Sequence, residues 1–150
     1  MNDAYVSVQT ADDYHDARQS AARWHEFTDA EKAQRLLSAS DVLDNLAYWR
    51  GVKVSDGQYR AFPRWQDKQA SESGVVPDVP LVVLAAVCEL ALLDNISGAL
   101  PKPTKLQNVG GVMLKGGECT ADCASGADGL RYVMRLLSPW IERNGVVLRG

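Results

Sequence analysis

The sequence predicts a mainly α-helical fold: a small bundle of about four helices with a β-hairpin insertion, a long irregular loop and an extended C-terminal tail. Three observations predict it. Thr28-Asp29-Ala30-Glu31 is a capping box, a hydroxyl followed three residues later by a carboxylate, and apolar residues recur at helical spacing after it. From Val79 to Leu93 the chain is apolar almost throughout, which suits a central buried helix. Gly110-Gly111, flanked by Leu106, Val109, Val112 and Leu114, has the pattern of a hairpin turn.

In chain order, residues 1 to 10 alternate and predict a short extended segment. Thr10 can then cap a brief helix from about Ala11 to Arg18, with Asp12 and Asp13 near the positive end of its dipole. The helix after the capping box should run to about Trp49. Its stripe is Ala33, Leu36, Leu37, Ser40, Leu43, Leu46 and Ala47, leaving Arg35, Asp41 and Asn45 outside it. Gly51 can end that helix with a positive φ.

Periodicity vanishes over residues 51 to 77, where Gly57, Pro63, Gly74 and Pro77 punctuate polar stretches. A connection this long is commonly functional or ordered by a partner, and Phe62-Pro63-Arg64-Trp65 can pack back on the core. Pro80 suits the first turn of the apolar helix, which Gly98 and Pro101 stop. The hairpin occupies about 105 to 115, and a Gly-, Ser- and Ala-rich loop follows. Ser125 or Asp128 can cap a last helix from about Gly129 to Glu142, striped by Leu130, Val133, Leu137 and Ile141 and bent or shortened by Pro139. Residues 144 to 150 form a short apolar tail. The whole reads as one domain, its helical core at about 10 to 50 and 78 to 142.

With 46% hydrophobic and 23% charged residues, the balance is globular and excludes wholesale disorder. Net charge is -3, whereas a dedicated nucleic-acid binder usually carries a basic surplus to neutralise phosphates. Neither a leader peptide nor a membrane span is expected: the N-terminus lacks a basic start, and the Val79 to Leu93 run is too short to cross a bilayer. The expectation is a soluble protein made in a cytosol, with Cys88, Cys119 and Cys123 reduced.

Motifs for chemistry are sparse. Cys119 and Cys123 with Asp122 make half a metal site at most, since structural zinc needs four ligands and only His15, His25 and Cys88 remain. Two loop thiols and no metal are the expectation. His15 and His25 have no nucleophile motif near them and read as surface or half-buried histidines. No phosphate-binding loop or dinucleotide fingerprint is present, so no catalytic residue and no cofactor are expected. Glu89, alone in the most apolar helix, calls for a structural ion pair, with Arg35, Arg50, Arg64 and Arg135 as candidate partners. Tyr14, Trp24, Tyr48, Trp49, Tyr59 and Trp65 could stack bases, with Lys53, Arg60, Arg64 and Lys68 supplying charge. Core packing or a subunit contact explains the same residues.

Several segments together resemble one family of tailed-phage head-to-tail connector (adaptor, head-completion) proteins. Tyr5-Val-Ser-Val-Gln-Thr-Ala-Asp-Asp-Tyr14 is similar to the family opening Y-x-S-x-x-x-A-D-x-Y, and Ala39-Ser-Asp-Val-Leu-Asp44 resembles A-T-x-Y-L-D. Trp49-Arg-Gly51, Phe62-Pro-Arg64, the Val79 to Ala91 helix with Glu89, and the Val147-Leu-Arg-Gly150 ending complete the match. Ser40 and Val42 depart from the family's Thr and Tyr, and the Cys119 to Cys123 loop has no counterpart. The resemblance implies a virion protein of the neck. It would form a ring, usually of twelve copies, between the portal and the tail, and extend the channel through which DNA passes without sequence-specific binding. On that reading Phe62, Arg64 and Trp65, with Val146, Val147, Leu148 and Arg149 of the tail, are candidate contacts to neighbouring copies or the portal. Deleting the tail should leave a folded monomer that no longer joins the neck. Such sequences also carry the label of DnaT-like single-stranded-DNA-binding proteins; on that alternative Tyr59, Arg60, Arg64 and Trp65 would make the site.

Overall fold

A computed structural model of the chain describes residues 3–99, 107–109, 112–114 and 124–142. Helix α1 spans Val8–Asp16 and starts earlier than the sequence suggests. Ser7, not Thr10, is the cap: its side chain accepts from the Thr10 backbone N–H, so Thr10 lies inside the helix. Asp12 and Asp13 therefore fall beyond the first turn. A four-residue helix, α2 (Ala21–Trp24), follows, too short to leave a periodic signal.

The capping box forms as expected. Thr28 accepts from the Glu31 N–H, Glu31 accepts from the Thr28 N–H at 2.8 Å, and α3 runs Asp29–Leu46. Its buried face is Leu36, Ala39, Ser40, Val42, Leu43 and Leu46, whereas Ala33 and Leu37 turn outward. The helix stops short of Trp49 because Ala47 is extended. Trp49 instead forms an antiparallel bridge with Ile141. Gly51 does take positive φ, at +75°, but as part of a tight approach: a Cβ there would collide with the Trp65 carbonyl oxygen.

Residues 51–77 are less irregular than predicted. β1 (Val52–Lys53) pairs antiparallel with β2 (Arg64–Trp65), and α4 (Lys68–Glu72) is capped by Asp67. Pairs this short leave no alternation to read in the sequence.

Helix α5 spans Leu81–Ala91 with Pro80 at its N-cap, and it is the central element. It packs between α3 and α6 (Ala124–Leu137) and also touches α1. Val83, Ala86, Val87, Leu90 and Ala91 are buried, as an all-round apolar helix requires. The last helix starts before Gly129 and gives way to a 3-10 turn, Ser138–Trp140, at Pro139. The predicted stripe holds: Val133, Leu137 and Ile141 are fully buried. β3 (Gln107–Val109) and β4 (Val112–Leu114) form the antiparallel hairpin. The Gly110-Gly111 turn, the Cys119 to Cys123 segment and the tail residues Val146, Val147, Leu148 and Arg149 lie outside the described residues. No helix among those described is long and apolar enough to cross a membrane.

Candidate functional site

Several residues that carry the family resemblance, Tyr5, Asp44 and Phe62 among them, hold one another. The Tyr5 hydroxyl donates to Asp44 Oδ1 at 2.5 Å and accepts from the Phe62 N–H at 3.0 Å. The Tyr5 backbone N–H donates to the Ser40 hydroxyl at 3.1 Å. Asp44 also accepts from the Ala61 N–H and, through Oδ2, from Arg60 at 2.9 Å. The opening motif, the α3 motif and the 60–62 loop thus close around one carboxylate. Burial first, then the hydrogen bond to Asp44, raises the Tyr5 pKa well above that of a free phenol, so it stays protonated and donating.

Phe62, expected at a contact with a neighbour, is 2% exposed and is ringed edge-on by Tyr5, Trp49 and Trp140. It belongs to the core. Arg64 is spent on the backbone: its guanidinium donates to the carbonyls of Trp49, Arg50, Gly51 and Ala61. Those bonds hold the turn around Gly51 closed, satisfying backbone carbonyls of the connection beyond α3. Trp65 is half-buried in β2.

A second closure joins α1 to α5. The Tyr14 hydroxyl donates to Glu89 Oε1 at 2.7 Å, bridging residues 75 apart in sequence. Glu89 thus has a tyrosine partner in place of the expected arginine. Arg35 instead donates to the Ala91 and Leu93 carbonyls at the end of α5, and Arg50 to the Pro139 carbonyl. His15, expected at or near the surface, is fully buried against Trp24, with Nδ1 2.8 Å from the Ser20 hydroxyl. Burial lowers its pKa to about 4, so the ring is neutral near neutral pH. His25 stays exposed and meets Asp16 at 2.5 Å. Buried Cys88 has its thiol pKa pushed up to about 12 by burial, which makes it unreactive. No cluster of metal-ligating side chains occurs among the described residues.

The single-strand site expected of Tyr59, Arg60, Arg64 and Trp65 is only half assembled. Tyr59 stands 60% exposed over an open cleft of about 510 Å³. Asp41, Asp44 and Asn45 of α3 line that cleft together with Tyr48, Lys53 and Tyr59. Arg60 is held by both aspartates, at 2.7 Å from Asp41 and 2.9 Å from Asp44, with its side chain only 12% exposed. Burial works against its charge, yet the bonds to Asp44 and Asp41 hold its pKa above the usual arginine value. Of the two arginines proposed for phosphates, one is neutralised by carboxylates and the other faces carbonyls. Asp41 and Asp44, three apart on one helix face, are the sequence signal that could have revealed Arg60's partners.

What the surface offers instead is apolar. In the extended arm 73–80 and the first turn of α5, Leu81 is 82% exposed, Val75 71% and Val76 61%. Val79 alone of the arm's valines packs on the core.

Residues 1–149 match the model of a family described as "Putative DnaT-like ssDNA binding protein". The chain belongs to that family. No curated protein and no solved structure matches it. The family's description sides with the single-strand-binding alternative rather than with the connector role. For this DnaT-like chain, the motif residues are therefore marks of a shared fold: Tyr5, Tyr14, Asp44, Phe62, Arg64 and Glu89 bond to each other or to backbone.

Proposed function

We propose that the chain is a non-catalytic assembly subunit, a head-to-tail adaptor that forms a ring, in about twelve copies by family resemblance, between a phage portal and tail. One observation carries this reading: three exposed apolar side chains, Val75 and Val76 of the arm and Leu81 in the first turn of α5, fall within one short stretch of chain. Exposed apolar side chains of this size gain most from a protein neighbour that removes them from water. The acidic balance suits a channel past which DNA slides. The motif order along the chain supports the connector role, and the virion neck would be its location.

The test is to image the full chain by electron microscopy, alone and with the portal, alongside a Val76→Asp/Leu81→Asp variant. Rings or portal-capping density for the parent, and folded monomers for the variant, are expected. Equal assembly by both would overturn the arm's role. A second reading, single-strand DNA binding, is favoured by the family's description and by Tyr59 over the cleft. Titration with a labelled oligonucleotide separates the two. Micromolar affinity that falls steeply with salt favours DNA binding, and the adaptor reading predicts no such affinity.

A further inference from the structure

Helix α6 packs on α5, burying Val133 and Leu137, and leaves a polar strip exposed. Arg131 and Arg135 are both exposed on that strip, one helical turn apart, and Tyr132 beside them is 47% exposed. Neither arginine has a hydrogen bond or ion pair among the described residues. Exposed Asp128 lies one turn earlier, but no ion pair ties it to Arg131. The turn from Arg131 to Arg135 therefore presents two free guanidinium groups and an aromatic ring, with no acid among its residues.

The arm supplies the opposite charge together with apolar surface. Glu72, at the end of α4, and Asp78 are exposed, and neither meets a cation among the described residues. Residues 69–101 contain no lysine, arginine or histidine, so nothing near in sequence offsets these carboxylates. Val75, Val76 and Leu81 stand exposed between and beside them. Val76 and Val79 each precede a proline, which favours extended backbone at both, so the arm has little freedom left to lose on docking. Within one chain no ion pair joins the arm to α6 among the described residues. Two unlike, complementary surfaces on one molecule are what a head-to-tail contact needs, and such contacts close into rings when the rotation per copy permits. Arginine and tyrosine are also the side chains on which interface energy concentrates.

We infer that the arm 72–81 of one copy docks on the Arg131, Tyr132 and Arg135 face of α6 in a second copy of this chain. Carboxylates then meet guanidinium groups, and the valines and Leu81 meet the tyrosine ring. This rests on the assembly reading above and adds the surface that receives the arm. The test is charge reversal in the full chain, read by light scattering across a concentration series. Arg131→Glu/Arg135→Glu alone, and Glu72→Arg/Asp78→Arg alone, should each need at least about tenfold more protein to assemble than the parent, because like charges then meet. An equal mixture of the two variants, in which each reversed surface finds its opposite, should assemble at the parent's concentration, and that recovery also shows both variants to be folded. No recovery on mixing would overturn the inference. If the α6 variant assembles like the parent while Val76→Asp/Leu81→Asp does not, the arm docks elsewhere, and the inference fails with the assembly reading intact. A parent that stays monomeric at every concentration and with the portal sinks both. If the α6 variant assembles normally but loses a salt-sensitive affinity for a labelled oligonucleotide, the arginines face phosphates, and the inference is again overturned.

Discussion

Two regions, joined by the stretch 63–72, treat their apolar residues in opposite ways. Around Asp44, the segments 3–5, 40–44 and 60–62 bury an aromatic ring, a guanidinium and a phenol, and of their buried side-chain polar atoms only the Arg60 Nη2 lacks a partner among the described residues. In the arm 73–81, Val75, Val76 and Leu81 face solvent. Tyr5, Asp44 and Phe62, which help make the sequence recognisable, lie in the first region, whereas the largest apolar exposure lies in the second. Around Asp44 the recognisable residues are scaffold, so a contact surface is better sought among exposed side chains such as Val75, Val76 and Leu81.

Substitutions can break that contrast, starting with the largest effect. Phe62→Ala should cost about 4 kcal/mol in urea unfolding, as for a fully buried ring. Were Phe62 a contact residue, stability would barely change. Asp44→Ala should cost about 3 kcal/mol, because it removes one of the two carboxylates that pair a largely buried guanidinium and takes the acceptor from the Tyr5 hydroxyl and the Ala61 N–H. Acid offers an independent probe through His15. Its folded pKa of about 4 lies below the unfolded value of about 6.5, so the unfolded chain takes up the proton first. Stability should be complete above pH 6.5 and fall by up to about 3 kcal/mol between there and pH 4. A His15→Gln variant should flatten that slope. At the small end, Leu81→Asp should move stability by no more than about 0.5 kcal/mol in the dilute monomer, as for an exposed site.

Much of the bundle was legible because its signals are local. Thr28 and Glu31 are three residues apart, and the buried stripe of α6 repeats every turn. The cap of α1 is Ser7 and not the expected Thr10, and Ala11 and His15 are the buried residues of the helix. The site was much less legible. Glu89 meets Tyr14 across 75 residues, and Arg60 meets two aspartates on another element, so charge alone suggested wrong partners. Exposure of Leu81 was hidden for a different reason: its helix is apolar on every side, and composition does not say which side meets water.

Amide hydrogen exchange on the full chain, dilute and concentrated, tests the contrast most directly. Ala61 and Phe62, whose N–H groups are bonded inside the clasp, should be protected at both concentrations. The amides of Val75, Val76, Asp78 and Val79 should exchange freely when dilute and gain protection on concentration or with the portal. If the arm stays unprotected throughout while Lys53 and Tyr59 become protected on adding an oligonucleotide, the interaction surface is the cleft and the assembly reading fails.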